Sequence, residues 1–161
     1  MHKILVIAFI LFVGSITIAA EERSVSEEDV FALQPSAEAG DRMAIRKLFE
    51  LAPYSDGAAA EDIDVALGRT IRNHPQLFLE ELRRSSSATC DRCFPGLVGN
   101  TGDELVDRFD DQAKELTQRR KALASVNKKS LADLRKKLLR VLDKQIEEAK
   151  DAAKDEKERA R

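Results

Sequence analysis

Cys90 and Cys93, spaced Cys-Asp-Arg-Cys, are the only cysteines in a chain of 161 residues. Two thiols three positions apart close into a disulfide in an oxidising compartment and pin the loop that carries them. The closed loop is very short, so chain-entropy reasoning places the gain at roughly 1 to 2 kcal/mol. The same spacing serves thiol-disulfide oxidoreductases, whose attacking thiolate is stabilised at a helix N-terminus. This chain shows none of the strand pattern that a thioredoxin-like fold needs. Covalent haem requires His directly after the second cysteine, and Phe94 stands there. Zinc requires two further ligands, whereas His74 is the only histidine beyond the first few residues, which leaves a site shared at an oligomer interface as the sole metal option. No cofactor is expected.

Carboxylates gather at Asp56, Glu61, Asp62 and Asp64. Such a group suggests a cation site or a paired acid and base. The partial positive charge at a helix start accounts for it more simply, stabilising each nearby acid by about 0.3 to 1 kcal/mol. Gly57 directly after Asp56 breaks the spacing of an EF-hand loop. Glycan cleavage would also use two carboxylates, but saccharide clefts offer aromatic platforms and this chain has no Trp and one Tyr, Tyr54. No nucleophile elbow and no phosphate-binding glycine loop is present, and His74 before Pro75 reads as a helix end. The residues do not point to an enzyme.

Charge is distributed unevenly. From Glu21 to Arg84 there are 14 acids against 8 bases, and from Arg119 to Lys144 there are 10 bases against 2 acids. The net charge of −2 conceals this asymmetry. The basic stretch is either a solvated face, a face docked on the acidic half, or a contact surface for an anionic partner. In the last case Arg119, Arg120, Lys121, Lys128, Lys129, Arg135, Lys136, Lys137 and Arg140 contribute. The partner would be an acidic protein or an anionic envelope component. Nucleic acid is not expected, because no aromatics are interleaved to stack bases.

The elements that must position these groups are helices. Ser24 to Gln34 predicts a first helix, with Ser24 and Glu27 at capping-box spacing and Pro35 closing it. A second begins near Ser36 or Asp41 and ends before Pro53, its stripe being Ile45, Leu48, Phe49 and Ala52. A third, Ala58 to Asn73, carries Ile63, Ala66, Leu67, Thr70 and Ile71 inward. A fourth starts at Pro75 and turns Leu77, Phe78 and Leu82 inward. Residues 85–102 hold both cysteines and several glycines and predict a structured loop. Thr101 and Glu104 have capping-box spacing for a fifth helix reaching about Ser125. The last helix begins near Lys128 with the stripe Leu131, Leu134, Leu138, Val141, Leu142 and Ile146. Its polar tail over 147–161 is expected to fray, with ion pairs at i, i+4 adding about 0.2 to 0.5 kcal/mol each. The expectation is an all-α protein, a small irregular helical bundle or set of helical hairpins with a long C-terminal helix.

The start of the chain sets the compartment. Met1, His2 and Lys3 precede an apolar run from Ile4 to Val13, and Thr17, Ile18, Ala19 and Ala20 precede Glu21. That order predicts a signal peptide over residues 1–20, cut after Ala19 or Ala20, and a periplasmic or secreted protein. An uncleaved anchor is the alternative, since about 17 residues is the lower limit of a spanning helix. Removing 20 of 161 residues leaves 141, enough for one helical domain over 21–161 with a genuine core.

The amphipathic pairs between Ala37 and Leu82, with Leu48-Phe49-Glu50 and Leu77-Phe78-Leu79-Glu80 on successive helices, resemble the helical-hairpin units of HEAT and armadillo repeats. The segment is also similar to stretches of uncharacterised bacterial exported helical proteins. These resemblances imply a helical-hairpin fold and an envelope location, and they imply no activity. Together the features favour a non-enzymatic exported interaction module. A thiol-disulfide protein acting through Cys90 and Cys93 and a binder of anionic surfaces are the alternatives.

Overall fold

The computed structural model describes residues 25–85 and 93–160. It is all-α: among the described residues there are seven α-helices and no strand. The expected signal peptide lies outside the described residues, as does Cys90. No described helix is long and apolar enough to cross a membrane.

The first helix, α1 (Glu27–Glu38), differs from expectation at both ends. Its capping box is Ser26 with Asp29, the Ser26 hydroxyl accepting from the Asp29 amide at 3.2 Å. Pro35 lies inside the helix. Proline there removes one donor, the amide that would have bonded the Phe31 carbonyl. The helix continues because Ala37 is fully buried against the helix that carries Thr70, its carbonyl 3.3 Å from the Thr70 hydroxyl oxygen.

Asp41 caps α2 (Arg42–Leu51) by accepting from the amides of Met43 and Ala44 at 2.7 and 3.1 Å. Ala44, Ile45, Leu48 and Phe49 form the buried face of α2, which ends in a 3-10 turn at Ala52–Tyr54. The stripe read for α3 (Gly57–Asn73) is buried in full, and Thr70 satisfies its hydroxyl on the Ala66 carbonyl at 2.9 Å. His74 separates α3 from α4 (Pro75–Arg84), whose buried residues are Phe78, Leu79, Glu81 and Leu82. Phe49 and Phe78 meet with ring centroids 5.5 Å apart and tie α2 to α4.

A short helix, α5 (Phe94–Gly99), rises within the expected loop and buries Phe94, Leu97 and Val98. The next helix starts later than Thr101. A 3-10 turn at Asp103–Leu105 and Asp107 in the left-handed region (φ 63°) precede α6 (Phe109–Ala124), so the expected capping box at Thr101 does not form. After a further 3-10 turn at Lys129–Leu131 comes α7 (Ala132–Arg159).

The last two helices form an antiparallel hairpin. Lys157 near the end of α7 bridges Asp110 at the start of α6 at 2.6 Å, and Arg120 pairs with Asp143 nearer the turn. The tail of α7 therefore does not fray: it is helical to Arg159, and Ala149 and Ala153 are buried. Their small side chains let the two helices approach closely and supply apolar contact along the tail. One cluster of buried side chains runs from Val30 to Ile146, with α5 packed against both α3 and α7.

Candidate functional site

The basic stretch divides into three groups. Arg119 is not on the surface: only 1% of its residue area is exposed. Its Nε donates to Glu115 Oε1 at 3.1 Å, and Nη1 donates to the carbonyls of Val98 and Asn100 at 3.0 and 2.8 Å. Burial pulls its basicity below the ordinary arginine value, and Glu115 opposes that pull. An Arg at this depth is tolerated because its donors meet a carboxylate and the free carbonyls at the C-terminal end of α5. Arg119 is thus a clamp on α5, which corrects its expected place among partner-binding residues.

A second group is neutralised in place. Arg120 pairs with Asp143, and Lys128 donates to Glu80 Oε1 at 2.9 Å. The third group is outward-facing: Lys121, Lys129, Lys136, Lys137 and Arg140 are exposed and Arg135 is half-buried. Lys121, Lys129, Lys136 and Arg140 form no ion pair with a described residue. All lie in the last turn of α6, the connecting turn or the first turns of α7. Lys136 and Arg140 stand one turn apart, opposite the buried Leu138 and Leu142. Asp133 is the one carboxylate between Arg119 and Lys144 that is not tied in an ion pair.

A cluster unforeseen from sequence joins α2 to α4. Glu81 has no exposed side-chain surface, and three guanidiniums meet it. Arg42 donates to Oε1, Arg46 Nε to Oε2 at 2.9 Å, and Arg84 Nη1 to Oε1 at 2.9 Å. Arg42 also reaches Glu80 at 2.8 Å, which in turn holds Lys128 and Gln76. Glu80 is drawn down to about 2, first by its bond from Arg42 and then by those from Lys128 and Gln76. For Glu81, burial acts upward, and the bonds from Arg46 and Arg42 prevail and hold it below the usual carboxylate range. The signal was present: Glu81 lies on the stripe of Phe78 and Leu82, where a lone charge needs partners.

The acidic group of α3 is less uniform than its spacing suggested. Asp56 precedes the helix without a side-chain cap bond, and Glu61, Asp62 and Asp64 all fall after the first turn, where the helix-end field has faded. Asp64 is half-buried against α5, close enough that a methyl group on Gly96 would lie 2.1 Å from Oδ2. Its pKa is pushed up to about 6 by burial and then by Glu61. No group of three or more His, Cys, Asp or Glu that could hold a metal occurs among the described residues.

Cys93 is exposed at the N-terminal boundary of α5, while a Cys90–Cys93 bond falls on a residue outside the described ones. His74 lines an open cleft of about 790 Å³ with Arg42, Gln76, Glu80, Asn127 and Lys128. Its two cations, Arg42 and Lys128, are both engaged by Glu80. No protein-family model matches the chain, and no curated protein or solved structure matches it.

Proposed function

We propose that the protein is an exported, non-catalytic helical module that holds to an anionic envelope surface through the turn end of the α6–α7 hairpin. The observation that supports this reading is the placement of Lys121, Lys129, Lys136 and Arg140: exposed, close to one turn, and without ion-pair partners among the described residues. The other ionisable groups of the clefts are largely spent on holding helices together, a pattern that suits a scaffold better than a catalyst. The order of charge, apolar run and small residues before Glu21 supports export.

A basic residue near an anionic bilayer contributes about 1 kcal/mol. Four of them give about 4 kcal/mol, an apparent Kd near 1 mM, so single molecules bind weakly and density on the surface matters. Sedimentation of the chain from Glu21 onward with phosphatidylglycerol vesicles tests the reading. Binding at low salt and not to phosphatidylcholine vesicles supports it, and equal binding to both contradicts it.

In the same reading Cys90 and Cys93 form a structural crosslink at the base of α5. Thiol trapping before and after mild reduction tests this. A readily reduced pair with an acidic attacking thiol would instead favour thiol-disulfide exchange.

A further inference from the structure

The buried carboxylate of Glu81 is outnumbered by the donors around it. A carboxylate offers about four lone-pair positions, and each guanidinium brings five N–H groups. Arg46 spends Nε on Glu81, and its Nη1 lies 3.9 Å from Met43 Sδ. Arg84 spends Nη1. Nη2 of Arg46, and Nε and Nη2 of Arg84, take no partner among the described residues. Arg46 and Arg84 are joined on Glu81 by a third guanidinium, that of Arg42, so three cations share one buried carboxylate.

Arg46 and Arg84 border a groove of about 390 Å³ whose walls include Phe49, Pro53 and Tyr54, with Glu50 and Glu81 also lining it. Tyr54 is 70% exposed there, an unusual position for a large ring. Volume, apolar walls and a few fixed polar groups are what a small-molecule site requires. Glu81 orients the guanidiniums in the absence of ligand, so little ordering remains to be done on binding.

We infer that this groove binds a small organic monocarboxylate with an apolar body. The carboxylate meets the spare N–H groups of Arg46 and Arg84, and the apolar body lies on Pro53 and Tyr54. Glu50 repels a second negative charge and so selects monoanions over dianions. The inference is independent of the basic hairpin, which lies on other helices.

The chain has no Trp and a single Tyr, so tyrosine emission reports on this groove alone. Titration with cyclohexanecarboxylate should give a saturable change in emission. Cyclohexylmethanol, equal in shape and uncharged, should bind at least about tenfold more weakly, since hydrogen bonds to charged groups contribute about 1.5 to 3 kcal/mol. Inorganic phosphate should also bind more weakly, having no apolar body. Arg84→Gln should weaken carboxylate binding with helical content unchanged. Glu50→Gln should tighten it, a gain that misfolding cannot imitate. A linear response, equal binding of the alcohol, phosphate binding as tight as the carboxylate, or no gain from Glu50→Gln would each overturn the inference.

Discussion

The guanidinium of Arg119 lies so close to Gly68 that a methyl group added at Gly68 would fall 2.2 Å from Nη1. This approach seats a charged side chain between α3 and α6 and lets it reach the C-terminal carbonyls of α5. Three helices and the segment leading to Asn100 converge on one side chain.

Gly68→Ala should therefore destabilise the protein. In an ordinary helix interior the change gains about 1 kcal/mol. Here it displaces Arg119 from the carbonyls of Val98 and Asn100, and stranding buried polar groups costs about 1 to 3 kcal/mol each. Urea denaturation should show a net loss. In an Arg119→Met background the same Gly68→Ala change should become stabilising, because nothing remains to be displaced.

Asp64 gives the stability a pH dependence of its own. Its folded pKa of about 6 lies above its ordinary value of 3.8, so the folded state holds the proton more tightly. The associated stability is present in full below about pH 4 and is lost as the pH rises through 6. The loss is on the order of 3 kcal/mol. Asp64→Asn should flatten the difference and raise stability at neutral pH, which thermal melts of both proteins from pH 4 to 8 would reveal.

Glu80 and Glu81 act in the opposite direction, since both are held below their ordinary values. Their contribution is present above about pH 4.5 and falls in acid, that of Glu80 being lost as the pH approaches 2. Glu81→Gln should cost about 1.5 to 3 kcal/mol, because a neutral amide with one acceptor oxygen replaces the carboxylate that Arg42, Arg46 and Arg84 share, while those guanidiniums remain partly exposed to water. Arg84→Ala, which removes one exposed partner of three, should cost under about 1 kcal/mol. Equal losses in the two variants would show that Glu81 does not organise the cluster.

The helices were legible because aliphatic residues recur at helical spacing, as in Ile63, Ala66, Leu67 and Ile71. The groups that fasten them were less so. Arg119 reads as one of three consecutive cations, yet it stands three residues after Leu116 and four before Leu123, on their stripe. Glu81 likewise lies three after Phe78. A charge on an apolar stripe signals a buried partner, but the partners Arg42 and Arg46 are 39 and 35 residues away, a separation that periodicity does not encode. The packing of the α7 tail is not legible in its residue types, because alanine is a poor hydrophobe in isolation and a good spacer where two helices run side by side. The outward Lys136 and Arg140 were legible from their position opposite Leu138 and Leu142.

The proposed attachment to an anionic surface is tested most directly by vesicle sedimentation across a salt series, comparing the chain from Glu21 onward with a variant in which Lys121, Lys129, Lys136 and Arg140 are all changed to Gln. Exposed charges are screened over about 8 Å near physiological ionic strength. The original chain should bind phosphatidylglycerol vesicles at low salt and release as salt rises, and the variant should lose that binding while keeping its helical content. Binding that is insensitive to salt, or undiminished in the variant, would contradict the account.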